Sequence, residues 1–322
     1  MGAHRMTKEE STVLTSSPRI LILGAAGQLG RALRRSFAGI GSIIAADRTL
    51  VDIADGPRLR EFVRGTQPAV ILNAAAYTAV DRAESEPEQA RAINTACPGI
   101  LAEEAKALNA LLVHYSTDYV FDGSKSGPWT EDDATNPLSV YGSSKLAGER
   151  AIQAVGVRYL IFRTSWVYGP QGNNFLFTML RLAGQRDKLS IVNDQIGAPT
   201  TSIELADATR AIVEGILADH FGATEDWAGI YHMTCAGSTS WFGFAQAIFA
   251  HAEQLGVKPP ELLPISTEDY PTPARRPRNS VLSNEKINLR FGVELASWQA
   301  ALDAVSKQIR ISRSHAPRDT QV

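Results

Sequence analysis

The fold is decided by residues 19–30, which read RILILGAAGQLG. The apolar run in residues 19–23 has the length of a strand, and apolar side chains return at helical spacing at Leu29, Leu33 and Phe37. A glycine cluster separates the two patterns. The stretch therefore predicts a buried strand, a tight turn and a helix.

The glycines of this turn suit the binding of a dinucleotide. Gly24 permits the tight backbone, Gly27 lets N–H groups approach a pyrophosphate, and Gly30 lets the helix pack closely on the strand. The N-terminus of the following helix favours an anion. We therefore predict a cofactor site at these glycines and at Gln28 and Leu29, although the spacing is G-x-x-G-x-x-G.

The alternation of strand and helix continues outward from this unit. Apolar runs predict strands at residues 42–47, 68–76, 110–116 and 158–165, and helical patterns lie between them at 57–65, 86–109 and 140–154. Continuous apolar strands are typical of a sheet covered on both faces. The predicted fold class is α/β, a Rossmann-type doubly wound parallel sheet with a smaller C-terminal substrate-binding region.

The domain boundary is placed near Gly169. We expect an N-terminal extension over 1–17, a dinucleotide-binding domain over 18–170 and a mainly substrate-binding region over 171–322. In the last region, helices are predicted at 175–186, 202–218 and 240–256, strands at 188–192 and 229–234, and loops at 193–200 and 259–277. The strand at 229–234 is predicted to return to the first sheet.

Composition narrows the class of protein. The 322 residues are 44% hydrophobic and carry 32 basic and 34 acidic side chains, so the chain can bury a core but offers no basic field to nucleic acid. Two isolated cysteines, Cys97 and Cys235, disfavour a disulfide framework and a zinc site. No apolar run predicts export or a membrane span, so we expect a cytoplasmic protein.

Asp47 ends the second predicted strand, close to the usual distance after the glycine turn for a carboxylate that holds the adenosine ribose. An acidic residue there favours NADH. Arg48 follows at once and could neutralise a 2′-phosphate, so NADPH stays open. A plain turn residue is the alternative interpretation of Asp47.

Tyr141 and Lys145 are four residues apart on a predicted helix, so their side chains share one face. An ammonium beside a phenol lowers the phenol pKa towards the working range of a general acid. Thr117 ends the preceding strand, where its hydroxyl could hydrogen-bond a carbonyl oxygen. We predict these three residues to be catalytic.

Seven segments in register give the chain a specific resemblance: GAAGQLG (24–30), NAAAYTAVDRAESEPEQARAIN (73–94), HYSTDYVFDG (114–123), NPLSVYGSSKLAGE (136–149), FRTSWVYGPQGNNF (162–175), NDQIGAPT (193–200) and YPTPARRPRNSVL (270–282). Together they resemble the extended short-chain dehydrogenase/reductase family. The resemblance implies hydride transfer from NADPH or NADH to the C4 carbonyl of dTDP-4-dehydro-L-rhamnose, giving dTDP-L-rhamnose, a precursor of cell-surface polysaccharide.

The resemblance also implies roles for individual residues. Tyr141 would protonate the emerging alkoxide, Lys145 would hold the nicotinamide ribose, and Thr117 would bond the reacting oxygen. Asp118 would position the sugar, Trp166 would pack on it, and Arg276, a guanidinium fork suited to a diphosphate, would bind the nucleotide. The cofactor cleft would be lined by Asp52, Ile53, Ala75, Ala76, Tyr77 and Thr78.

One departure concerns a metal. Some members of the family bind magnesium at a dimer interface through three glutamates, and here those places hold Ala32, Ile203 and Gln299. A hard cation lacks its oxygen ligands without them. We therefore expect no metal, and either a monomer or a weak homodimer.

Two alternatives remain. Another nucleotide-sugar enzyme of the same fold, such as an epimerase, uses the same tyrosine, lysine and cofactor, whereas a dehydratase carries a glutamate where this chain has Tyr119. The second is a non-catalytic regulatory subunit resembling that of methionine adenosyltransferase. The complete set of Thr117, Tyr141 and Lys145 favours an enzyme.

Overall fold

The computed structural model describes residues 17–251 and 256–314. Apart from Ser17, the predicted N-terminal extension lies outside the described residues. The strands in chain order are β1 (Arg19–Leu23), β2 (Ser42–Ala46), β3 (Val70–Asn73), β4 (Leu111–Thr117), β5 (Tyr159–Thr164), β6 (Val167–Tyr168), β7 (Lys188–Val192), β8 (Ile196–Gly197), β9 (Thr200–Thr201), β10 (Gly229–His232), β11 (Thr239–Ser240) and β12 (Glu261–Ile265).

The helices in chain order are α1 (Gln28–Ser36), α2 (Gly56–Thr66), α3 (Val80–Ala83), α4 (Pro87–Arg91), α5 (Cys97–Ala107), α6 (Val140–Val155), α7 (Phe175–Ala183), α8 (Ser202–Leu217), α9 (Thr224–Trp227), α10 (Trp241–Ala250), α11 (Glu285–Phe291) and α12 (Trp298–Ser314). None of the described helices is long and apolar enough to cross a membrane.

Six parallel strands form the central sheet in the order β10-β5-β4-β3-β1-β2. Alternate side chains of β1 face opposite sides, as a strand requires: Ile20 and Ile22 pack in the cluster that includes α1 and α8, and Leu21 and Leu23 pack in the cluster that includes α2 and α5. The predicted doubly wound α/β sheet is confirmed, and β10 lies at its edge beside β5.

The predicted helix over 86–109 is interrupted. Between α4 and α5, residues Ala92–Ala96 form one π-helical segment. The Asn94 side chain exchanges hydrogen bonds with the backbone of Tyr77 and donates to Ser144 Oγ at 3.1 Å. Gly148 lets α6 approach this segment, because a Cβ there would lie 2.1 Å from the Asn94 carbonyl oxygen. The contact fixes the position of α6 along the sheet.

The second region has its own apolar core, in which α7, α10 and α12 pack around β7. Two predicted loops were wrong in part. Within 259–277, β12 pairs in parallel with β7, and within 193–200, β8 pairs with β11. The predicted helix at 175–186 ends earlier, at Ala183, and α12 was not predicted.

Candidate active site

The candidate site lies at the carboxyl ends of the parallel strands. The strand order reverses between β1 and β3, the position at which open α/β sheets bind ligands. Three cavities, of about 390, 480 and 560 Å³, lie along this side of the molecule. In the same order, we call them the adenosine cavity, which includes Asp47 after β2, the central cavity, which includes Tyr141, and the outer cavity, which includes Arg276.

The glycine turn has the geometry that a pyrophosphate needs. Gly24 has a φ of +73°, and a Cβ there would lie 2.8 Å from the backbone of Ala75. A Cβ on Gly30 would lie 2.1 Å from the Gly24 carbonyl oxygen, so only glycine permits this contact of helix and turn. Gly27 caps α1 without a side-chain hydrogen bond, which leaves helix N–H groups for an anion.

The adenosine cavity is lined by Gly24, Ala26, Gly27, Ala46, Asp47, Arg48, Thr49, Val51, Ile53, Ala74, Ala75, Ala76 and Ile93. Asp47 Oδ1 accepts hydrogen bonds from the Thr49 backbone N–H at 2.9 Å and from its hydroxyl at 2.6 Å. These bonds hold the pKa of Asp47 below its usual value, so the group is a fixed carboxylate. The residues present fit the adenosine half of a dinucleotide.

The central cavity brings together the three predicted catalytic residues. It is lined by Thr117, Tyr141 and Lys145, together with Gln28, Leu29, Thr78, Asp118 and Trp166 from the other predicted sites. Tyr141 lies in the first turn of α6, which Ser139 caps by accepting from the Gly142 N–H. Lys145 lies one turn further along the same face.

Burial raises the pKa of Tyr141 to about 12, and this outweighs the opposing effect of the Thr117 hydroxyl. The predicted net lowering of this pKa by Lys145 is therefore wrong. The raised value keeps the phenol protonated at neutral pH, which is the form that an acid requires.

Lys145 is buried beneath the cavity and held by β4. Its Nζ donates to the Tyr115 carbonyl oxygen at 2.6 Å and lies 3.1 Å from His114 Nε2. Burial lowers the pKa of Lys145 to about 8, so the ammonium still predominates at neutral pH. His114, whose own pKa burial lowers well below its ordinary value, also contacts Asn73 at 3.0 Å.

Thr117 closes β4 and caps the short 3₁₀ turn that follows. Its hydroxyl accepts from the Tyr119 N–H at 3.2 Å and donates to Asp118 Oδ1 at 3.0 Å. Burial raises the pKa of Asp118 to about 6, against the effects of the Ser280 and Thr117 hydroxyls. These contacts place a hydroxyl and a carboxyl side by side at the cavity wall.

A buried ion pair supports this wall from behind. Glu149 on α6 and Arg163 on β5 are almost wholly buried and meet at 2.7 Å, and the Ser116 hydroxyl donates to the same carboxylate. The pair joins the helix that carries Tyr141 to β5 of the sheet. Sequence reasoning missed it, because residues separated along the chain gave no local signal.

Arg276 lines the outer cavity. Its guanidinium donates to Asp81 Oδ2 at 2.8 Å and also to Thr272. These two hydrogen bonds hold the loop that contains Thr272 and Arg276 against α3. Trp241, which was not predicted as a site residue, lines both the central and the outer cavity. The outer cavity is otherwise mainly apolar, with Gln195 and Tyr270 among its polar side chains.

Three predicted cofactor residues, Gly30, Asp52 and Tyr77, lie outside the linings of the three cavities. Asp52 Oδ1 accepts from the Ala54 N–H at 3.0 Å, and the Tyr77 hydroxyl donates to Glu86 at 2.5 Å. The Asp52 and Tyr77 side chains thus make local hydrogen bonds, and their part in cofactor binding stays a prediction. Across residues 17–251 and 256–314, no group of three metal-ligating side chains comes together.

Comparison with known proteins shows the family of this chain. A family model described as the RmlD substrate binding domain matches residues 18–311. The dTDP-4-dehydrorhamnose reductase of Burkholderia thailandensis is 47% identical over 88% of this chain and 96% of its own length. The enzyme of the same name from Escherichia coli K12 is 44% identical, over 90% and 97%.

Solved structures agree as well. A dTDP-4-dehydrorhamnose reductase from Clostridium acetobutylicum superposes with a TM-score of 0.82 at 38% identity, covering 91% of this chain and 99% of its own. One from Bacillus anthracis, in complex with NADP, gives 0.82 at 34% identity with the same coverage. The chain therefore belongs to the RmlD substrate binding domain family, whose members named here are dTDP-4-dehydrorhamnose reductases.

Proposed function

We propose that this protein reduces the C4 keto group of dTDP-4-dehydro-L-rhamnose to give dTDP-L-rhamnose, with NADPH or NADH as reductant. One observation carries the proposal: Thr117, Tyr141 and Lys145 line a single cavity beside a glycine turn suited to a dinucleotide. The names of the relatives supply the sugar nucleotide. When bound, the reduced nicotinamide supplies the hydride.

The chain's own residues then handle the proton. Thr117 donates its hydroxyl hydrogen to the C4 carbonyl oxygen instead of to Asp118, and Tyr141 gives its phenolic proton to the same oxygen as C4 receives the hydride. An alkoxide is a stronger base than a phenolate, so the transfer is favourable even with the phenol pKa at about 12. Solvent then returns a proton to Tyr141.

Lys145 and Asp118 orient the reactants. The Lys145 ammonium donates one N–H to the Tyr115 carbonyl oxygen and is fixed beside His114. Its remaining donor capacity is available to the cofactor ribose. Asp118 can accept from a sugar hydroxyl. Arg276, which lines the outer cavity with Gln195, would meet the diphosphate.

Replacement of Tyr141 tests the proton step. Tyr141→Phe keeps the ring but removes the proton donor, so we expect the cofactor dissociation constant to stay unchanged and kcat to fall by about 10²–10⁴-fold. The measurement is steady-state oxidation of reduced nicotinamide together with a binding titration.

Tyr231→Phe is the matched control. The Tyr231 hydroxyl donates to the Trp227 carbonyl oxygen at 2.8 Å, outside the linings of the three cavities, so its loss leaves the proton step intact and kcat close to that of the wild type. Normal turnover in Tyr141→Phe would contradict the assigned acid.

A further inference from the structure

The indole of Trp166 is held in a strained position between two elements of the second region. Trp166 has a φ of +47°, a left-handed conformation that a bulky side chain adopts only when its surroundings enforce it. Its carbonyl oxygen accepts from the Thr200 N–H at 3.3 Å, and the neighbouring Ser165 hydroxyl donates to the Ala198 carbonyl at 2.9 Å. The loop around β8 and β9 thus fixes the backbone of Trp166.

Trp241 covers one face of this indole. The two rings stack with centroids 3.6 Å apart and planes 9° apart. Phe175 supports Trp241 in turn, with centroids 4.7 Å apart, and connects it to the apolar core of the second region. The stack therefore continues from the central cavity into that core.

Gly197 covers the other face. A Cβ on Gly197 would lie 2.6, 2.8 and 2.9 Å from Cε2, Cζ2 and Nε1 of Trp166. Nearly equal distances to three bonded ring atoms place that Cβ over the plane of the ring. If Trp241 stacked on the same face of Trp166 as Gly197, its ring atoms would lie closer to this Cβ than the Trp166 atoms do. The three nearest atoms all belong to Trp166, so Gly197 and Trp241 lie on opposite faces of its indole.

One short pair of strands positions both Gly197 and Trp241. In the antiparallel pair β8–β11, Gly197 is the partner of Thr239, and Trp241 begins the helix that follows β11. Ser240 caps this helix through the Gly243 N–H and donates to Asn193 Oδ1 at 2.7 Å. The spacing between the two sides is therefore set by backbone pairing.

We propose that Trp241 is a positioning residue which, with Gly197, clamps the indole of Trp166, so that a sugar in the central cavity meets the edge of that indole and its N–H. Among the described residues, none accepts a hydrogen bond from this N–H, so the donor remains for a ligand. The role in sugar binding rests on the proposed function. The clamp itself does not.

The experiment compares Trp241→Ala, Trp241→Phe and Gly197→Ala with the wild type. Two stacked indoles give an exciton couplet in the ultraviolet circular dichroism spectrum, and we expect both Trp241 variants to lose it. We expect Trp241→Ala to raise the KM for the sugar nucleotide about tenfold, with the cofactor dissociation constant unchanged, and Trp241→Phe, which retains a stacking ring, to restore most of that loss.

Gly197→Ala is the independent variant, because it disturbs the clamp from the opposite face of the Trp166 ring while the protein retains both tryptophan side chains. We expect an altered couplet and the same rise in KM for the sugar nucleotide. Trp227→Phe is the matched control: this buried tryptophan packs near Tyr231, away from the three cavities, and its loss should leave couplet and KM unchanged.

The outcomes separate the two proposals. A couplet that survives Trp241→Ala, or an unchanged KM for the sugar nucleotide in both Trp241→Ala and Gly197→Ala, overturns the clamp. A wild-type protein that oxidises no reduced nicotinamide counts against the proposed function, while loss of the couplet in Trp241→Ala still supports the clamp.

Discussion

At the scale of single residues, the burial of titrating groups determines the chemistry. Tyr141 and Lys145 share one helix face, as their spacing predicts, yet burial moves their two pKa values apart: that of Tyr141 rises from about 10 to about 12, and that of Lys145 falls from about 10.5 to about 8. The spacing is a local property that the sequence shows. The depth of burial depends on the sheet and helices around the pair, so the predicted direction of the phenol shift was wrong.

The lowered pKa of Lys145 predicts a pH dependence of cofactor binding. Below about 8 the ammonium carries its full set of donors, and above that pH it becomes an amine with one fewer. We therefore expect the cofactor dissociation constant to be level up to about pH 8 and to rise at higher pH. Titrations of cofactor binding across this range measure it.

The groups that face Lys145 are His114 on β4, Cys97 on α5 and Glu149 on its own helix. Burial holds His114 neutral and raises the pKa of Cys97 to about 12, so neither titrates in this range. In Lys145→Met, binding should be weak at every pH and show no break near 8. A break that persists in this variant would assign it to another group.

The position of Asp47 gives a prediction about the preference for NADH over NADPH. Its Oδ1 is committed to Thr49, which orients the carboxylate at the mouth of the adenosine cavity as an acceptor for ribose hydroxyls. We expect Asp47→Asn to lower kcat/KM for NADH by about tenfold or more while sparing NADPH, because a charged acceptor is lost. Arg48→Ala should do the reverse. Equal losses with both cofactors in Asp47→Asn would contradict the assignment.

At the scale of secondary-structure elements, close approach fixes where the catalytic groups lie. Gly148 lets α6 touch the π-helical segment, and the Glu149–Arg163 pair ties the same helix to β5. The elements of the first region were predicted well because each carries its own apolar period. The interruption of the long helix at Asn94 was missed, because it depends on Tyr77 and Ser144 across the fold.

The buried pair gives a prediction for stability. Glu149→Gln leaves the Arg163 guanidinium buried without its counter-charge, which costs about 3–5 kcal/mol of unfolding free energy. We expect a large fall in the midpoint of chemical denaturation. Glu88→Gln, which removes an exposed partner of Arg91, is the control and should change the midpoint little. Similar midpoints in the two variants would show that the buried pair is not important for stability.

At the scale of the whole molecule, two regions meet over the ends of the strands. The sheet and its cofactor turn follow from local pattern, and so do α7, β7, α8 and α10 of the second region, whereas β8, β11, β12 and α12 do not. β12 contains Pro264 and exposes much of its length, so it shows no apolar alternation and resembles a loop. Trp241 was missed for a related reason: its role exists only through contact with Trp166 and Gly197, and a tryptophan at a helix start gives no such signal.

The most direct test of the proposed reaction mixes the purified protein with dTDP-4-dehydro-L-rhamnose and either NADH or NADPH, follows the loss of reduced-nicotinamide absorbance and identifies the sugar product. We predict oxidation of the cofactor with stoichiometric formation of dTDP-L-rhamnose, and loss of turnover in Tyr141→Phe. Cofactor that binds but is not oxidised, or a product epimerised without net oxidation of the cofactor, would contradict it.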